Sequence, residues 1–220
     1  MNLWTITLFI LAASLLSLSG WMVQRYQRSP SITYYAGFLS ALSAIAIIQG
    51  SLFLNLESPV VLFLTRLGYL AGAATFSFLL LFTWYFPIPS QRIPKNDRWY
   101  LLLPIVFFLP LVLFNPSFIR NVVLADGFWH EIHGPLFWVF PIFVSVYVVW
   151  SLANLVTKFR YVQSPQWGSI KVFMVALIAA VLSGLIFDVL IPVTGRPRIP
   201  IGIYSASLLF GFSTYIVAKK

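Results

Sequence analysis

The sequence predicts an all-α membrane protein: a seven-transmembrane helix bundle with a small outer β-hairpin between helices 4 and 5, forming one domain over residues 1–220. Composition and patterning predict it. Hydrophobic residues make up 60% of the chain and charged residues only 9%, against roughly 25% charged in a soluble domain. The apolar residues gather into seven stretches, most of them near the ~20 residues that cross ~30 Å of hydrocarbon at ~1.5 Å rise per residue. Lipid offers no water to the backbone, so each N–H and C=O must pair inside its own segment, and helix is the economical solution.

The first stretch runs from Leu3 to Val23. No basic residue precedes it in Met1 to Thr5, and it exceeds the usual 7–15-residue core of a signal peptide, so it reads as a retained helix. The second covers Ile32 to Leu54 and the third Val60 to Phe86. The fourth, Trp99 to Phe114, is short and carries Pro104 and Pro110, which remove backbone donors. The fifth, sixth and seventh cover Leu136 to Leu155, Ile170 to Pro192 and Ile201 to Ala218. Small residues spaced four apart mark close helix packing in lipid. They occur at Gly68 and Gly72, at Ala176, Ala180 and Gly184, and at Ser207 and Gly211.

The connector from Asn115 to Pro135 holds two short alternating stretches around Ala125-Asp126-Gly127, a strong hairpin signal. The expectation is a β-hairpin lid over a cavity mouth. His130, Glu131 and His133 lie in it, but His130 and His133 would point to opposite sides of a strand. A solvated loop is the expected reading, with no metal site.

Basic residues set orientation, because short loops rich in Lys and Arg stay cytoplasmic. Ten fall on one side, including Arg25, Arg92, Lys158, Arg160 and Lys220; three, Arg120, Arg196 and Arg198, fall on the other. The N-terminus is therefore expected outside and the C-terminus in the cytoplasm of a multi-pass cell-membrane protein. The formal net charge of +9 would suggest nucleic acid in a soluble protein, but here it is juxtamembrane and meets anionic membrane lipids. No nucleic-acid partner is expected. The absence of cysteine excludes disulfides and thiol chemistry.

Arg66 and Asp188 stand out, since an ionisable side chain inside a membrane helix costs about 2.5–3.5 kcal/mol at its centre on insertion scales. Arg66 lies ~10 Å and Asp188 ~6 Å below the outer surface by helical rise. The expectation is a buried pair between the third and sixth helices. Gln49, Tyr69, Phe137, Trp138, Tyr204 and Ser205 should share this level. The candidate ligand-binding residues are Gln49, Arg66, Tyr69, Trp138, Asp188 and Tyr204, around an outward-facing cavity for a small molecule.

Catalysis is not expected. There is no phosphate-cradling glycine loop, no HExxH and no nucleophile elbow. The seventh stretch has no lysine before Lys219, so a retinal Schiff base has no attachment point there. Neither cofactor nor metal is expected.

The order of features resembles a known family, the N-terminal seven-transmembrane sensor region of bacterial and archaeal histidine kinases. The resemblance rests on Arg66-Leu-Gly-Tyr-Leu-Ala-Gly running to Phe86-Pro87, on the hairpin followed by Gly134-Pro135-Leu136-Phe137-Trp138, on the basic loop around Lys158 and Arg160, and on Asp188-Val-Leu-Ile-Pro192 before Gly195. It implies a sensor of an extracytoplasmic or membrane-borne stimulus that signals through its last helix to a cytoplasmic output partner, or as a homodimer. The sequence stops at Lys219-Lys220 without a phosphoacceptor histidine or ATP-binding domain, so no enzyme activity is expected of this chain. A small transporter or an accessory subunit of a larger complex stays open as an alternative; the odd number of helices and the charge pair near one surface favour a receptor.

Overall fold

The computed structural model describes residues 3–25, 29–54, 56–90, 96, 98–125, 128–160, 164–184, 186 and 201–218. Among them seven α-helices occur: α1 (Leu3–Arg25), α2 (Pro30–Ser51), α3 (Ser58–Tyr85), α4 (Trp99–Phe114), α5 (Val139–Phe159), α6 (Ser164–Gly184) and α7 (Ile201–Ala218). Between α4 and α5, strands β1 (Ile119–Ala125) and β2 (Phe128–His133) pair antiparallel. Four helical spans, Leu3–Arg25, Pro30–Ser51, Ser58–Tyr85 and Pro135–Phe159, are long and apolar enough to cross a membrane; α4, Ile170–Gly184 and Ile201–Thr214 are shorter apolar helices.

Local chemistry sets the helix ends. Proline at the first turn opens α2 and α3, where its missing N–H costs nothing. The fourth apolar stretch and α4 share the bounds Trp99 and Phe114, and its two prolines are absorbed; Pro104, Phe108 and Val112 form its buried stripe. α5 starts three residues later than its apolar run, because Pro135–Trp138 first makes a 3₁₀ turn. The structure places α6 six residues earlier than expected at its start. The expected end of that segment at Pro192 lies outside the described residues.

α3 is the hub, packing against α2, α4, α5 and β1, while α7 packs against α1, α2 and α6. Buried side chains of α1, α2, α3, α6 and α7 form the largest core, with Tyr35, Phe38, Phe82, Phe173 and Phe210 in ring contact. Lipid tails are as apolar as leucine, so polar cross-links and small residues do much of the joining. Ser19 Oγ donates to the Ala36 carbonyl and Ser43 Oγ to the Ala12 carbonyl, both at 2.9 Å, tying α1 to α2. Tyr35 donates to the Phe210 carbonyl at 2.5 Å, tying α2 to α7, and Ser205 donates to Ser183 at 2.6 Å across α6 and α7. Gly37 admits the ring of Phe78, which a Cβ there would overlap. Of the small residues singled out by spacing, Ala176, Ala180 and Ser207 are buried, and Gly72 lies beneath the Phe140 ring. Gly211 has nothing near its Cβ position, so no close approach depends on it.

Candidate functional site: the junction of α3 and the hairpin

α4 ends at Asn115, whose carboxamide oxygen accepts from the Ser117 amide at 2.8 Å, and Pro116 cannot continue the helix. The chain then buries Phe118 and Ile119 completely before it becomes β1. The strands run in register from Ala125↔Phe128 to Asn121↔Ile132, then shift by one residue so that Ile119 meets His133. This bulge leaves Arg120 and Asn121 exposed and turns both Ile119 and Val122 inward. Val122 pairs with Glu131, so Glu131 shares the inward face. On the return, the Gly134 amide donates to the Phe118 carbonyl at 2.9 Å and the Leu136 amide to the Ser117 carbonyl at 3.0 Å. Only glycine fits at 134, because a Cβ would overlap the Ser117 carbonyl oxygen.

α3 holds this structure at two points one turn apart. Arg66 donates from Nη1 to the Leu113 carbonyl at 2.7 Å and from Nη2 to the Ile119 carbonyl at 2.9 Å. The first is one of the carbonyls that the end of α4 leaves without an intrahelical partner, where a cation also meets the negative end of the helix dipole. The second belongs to the first residue of β1. Arg66 Nε is buried without a partner among the described residues. Tyr69 donates to Glu131 Oε2 at 2.5 Å, and the same oxygen lies 3.0 Å from His133 Nε2. The rings of Phe118, Phe137 and Phe140 stand nearly perpendicular to that of Tyr69 at centroid distances of 5.0–5.8 Å. The imidazole of His133 stacks on Phe137 at 3.7 Å.

Chemically, this is a hydrogen-bonded path from the aromatic interior to the surface: a phenol, a carboxylate 14% exposed and an imidazole 40% exposed. Among the described residues no group of three or more His, Cys, Asp or Glu side chains could hold a metal ion.

Only some of the candidate residues meet here. Arg66 and Tyr69 do. Asp188 lies outside the described residues, and both terminal nitrogens of Arg66 are engaged by α4 and β1. Gln49 is half-buried on α2. Trp138 closes the 3₁₀ turn and is 65% exposed. Tyr204 hydrogen-bonds Thr7 and the Trp4 carbonyl, and its ring packs on Trp4, so it belongs to the α1–α7 contact.

Glu131 was not among the expected site residues, although strand alternation places it with His133 on one face. Lys158 was also missed. Its position at a helix end reads as a juxtamembrane charge, yet it is 5% exposed and donates to main-chain carbonyls at the end of α3. Its spacing from Val148, Ser151 and Leu155 continues the buried face of α5, the one signal in the sequence that reveals it.

The family model described as the N-terminal 7TM region of histidine kinase matches residues 6–217. No curated protein matches the chain significantly.

Proposed function

Since this chain belongs to the family of N-terminal seven-transmembrane regions of histidine kinases, we propose that it is a seven-span sensory module whose hairpin receives an extracytoplasmic or membrane-borne stimulus and whose opposite end acts on a cytoplasmic output domain or partner. In this reading the N-terminus and the hairpin lie outside and the C-terminus inside, which the distribution of Lys and Arg supports. The shorter helices α4, α6 and α7 complete the span count with α1, α2, α3 and α5. The module itself transfers no phosphoryl group.

The observation that carries this reading is the double hold of α3 on the hairpin. Arg66 fixes the start of β1 and Tyr69 fixes β2 through Glu131. A ligand or a change in membrane state that moves the strands must stretch or break bonds to the helix that touches α2, α4 and α5. The stimulus then has differential contacts in two arrangements of the hairpin, which any ligand-driven shift requires. Arg66, Tyr69 and Glu131 are the residues that carry a movement of the hairpin to α3.

The test joins the C-terminal end of the chain, in helical register, to the cytoplasmic part of a histidine kinase whose response regulator drives a reporter. Tyr69→Phe and Arg66→Met should shift reporter output at equal membrane abundance. Output identical to the parent for both would overturn the reading.

A further inference from the structure

The Nζ of Lys158 lies 2.7 Å from the Thr83 carbonyl oxygen, 2.7 Å from that of Trp84, 2.9 Å from that of Phe86 and 2.6 Å from that of Ile88. A lysine at the end of a membrane helix ordinarily extends its ammonium into water or headgroups. This one turns inward onto the last turn of α3 and the turn that follows.

The sequence explains why carbonyl acceptors gather there. The final carbonyls of any helix lack an i+4 amide. The residues after α3 read Phe86-Pro87-Ile88-Pro89, so two of the amides that could have served them are absent. The Phe86 amide goes back to the Phe82 carbonyl and the Ser90 amide to that of Trp84. Among the described residues no backbone amide donates to the carbonyls of Thr83 and Ile88. An ammonium brings three protons, all donors. Four main-chain oxygens stand within 2.9 Å of it, and the negative end of the α3 dipole points at the charge. Asn154, one turn before Lys158, adds a 3.3 Å bond to Thr83 Oγ1.

We propose that the exit turn of α3 is a binding cradle for an ammonium-type monovalent cation, and that Lys158 is its tethered occupant, a positioning residue that fixes the end of α3 to α5. The recognised chemistry is a compact –NH₃⁺ group within a shell of main-chain oxygens. A guanidinium suits it poorly, because its donors are spread in one plane.

The full chain in detergent tests this in two ways. In the parent protein, reductive methylation followed by mass spectrometry should modify Lys158 roughly tenfold or more slowly than the exposed Lys171, since its ammonium must first leave the carbonyls. Equal rates would overturn the proposal without any variant. Lys158→Ala should lower the melting temperature by about 5 °C or more. Methylammonium chloride should restore part of that loss, and tetramethylammonium chloride at the same ionic strength should not. Lys158→Met should show the loss without the rescue, its stem occupying the space. A Lys158→Met protein as stable as the parent, or a Lys158→Ala protein indifferent to which cation is added, would contradict the proposal.

Discussion

Tyr69 and Glu131 are joined by a 2.5 Å hydrogen bond that crosses from the middle of a membrane-length helix to the second strand of the hairpin. A phenol donating to a carboxylate is charge-assisted, and such bonds contribute about 1.5–3 kcal/mol to stability. Glu131 is mostly shielded from water, so the bond is little diluted by solvent competition.

Tyr69→Phe removes only the donor and keeps the ring among Phe118, Phe137 and Phe140. The expected cost is about 2 kcal/mol, or roughly 4–8 °C in melting temperature. With Glu131→Gln it should form a non-additive pair in a double-mutant cycle. Additive losses measured by thermal unfolding in detergent would show that the two side chains do not act together.

Arg66→Met keeps the aliphatic stem and leaves the Leu113 and Ile119 carbonyls without their donor. Stranding two acceptors should cost roughly 2–4 kcal/mol and speed amide exchange in β1 more than in α1. Arg66→Lys should recover part of the loss, because a point charge cannot span two carbonyls as a planar fork does. Exchange in β1 unchanged by Arg66→Met would remove Arg66 from the hairpin junction.

Gly134→Ala forces a Cβ onto the Ser117 carbonyl oxygen, where backbone rather than a flexible side chain must yield. The expected loss is about 1–3 kcal/mol. Gly211→Ala is the control, with nothing within 4 Å of its Cβ position. It should be neutral or stabilising by up to ~1 kcal/mol through helix propensity. Equal melting temperatures for the two variants would contradict the tight return at Gly134.

The elements were legible because their signals are local. Apolar length marks α4 and α7 at Trp99–Phe114 and Ile201–Ala218, and Asp126-Gly127 falls between Ala125 and Phe128, the last paired residues of β1 and β2. The site was only half legible. Arg66 and Tyr69 are conspicuous as a charge and a hydroxyl inside an apolar run. Glu131 looked like loop charge, since its inward turn follows from a bulge at Arg120 that no residue pattern announced. Lys158 looked like one more basic residue at a helix end. Its partners include main-chain oxygens, brought together by how Phe86-Pro87-Ile88-Pro89 folds against α5. Trp138 and Tyr204 are expected at the level of Arg66 from helical rise alone, which carries no direction; one is exposed and the other packs on α1.

The central claim is that the hairpin and the C-terminus lie on opposite sides of a membrane. The chain has no cysteine, so a single introduced thiol reports its own location. Val123→Cys puts one on an exposed position of β1, and a second protein carries one appended after Lys220. In intact cells a membrane-impermeant maleimide should label the Val123→Cys protein at once and the appended thiol only after the membrane is opened. Labelling of both thiols in intact cells, or of the C-terminal one alone, would contradict the account.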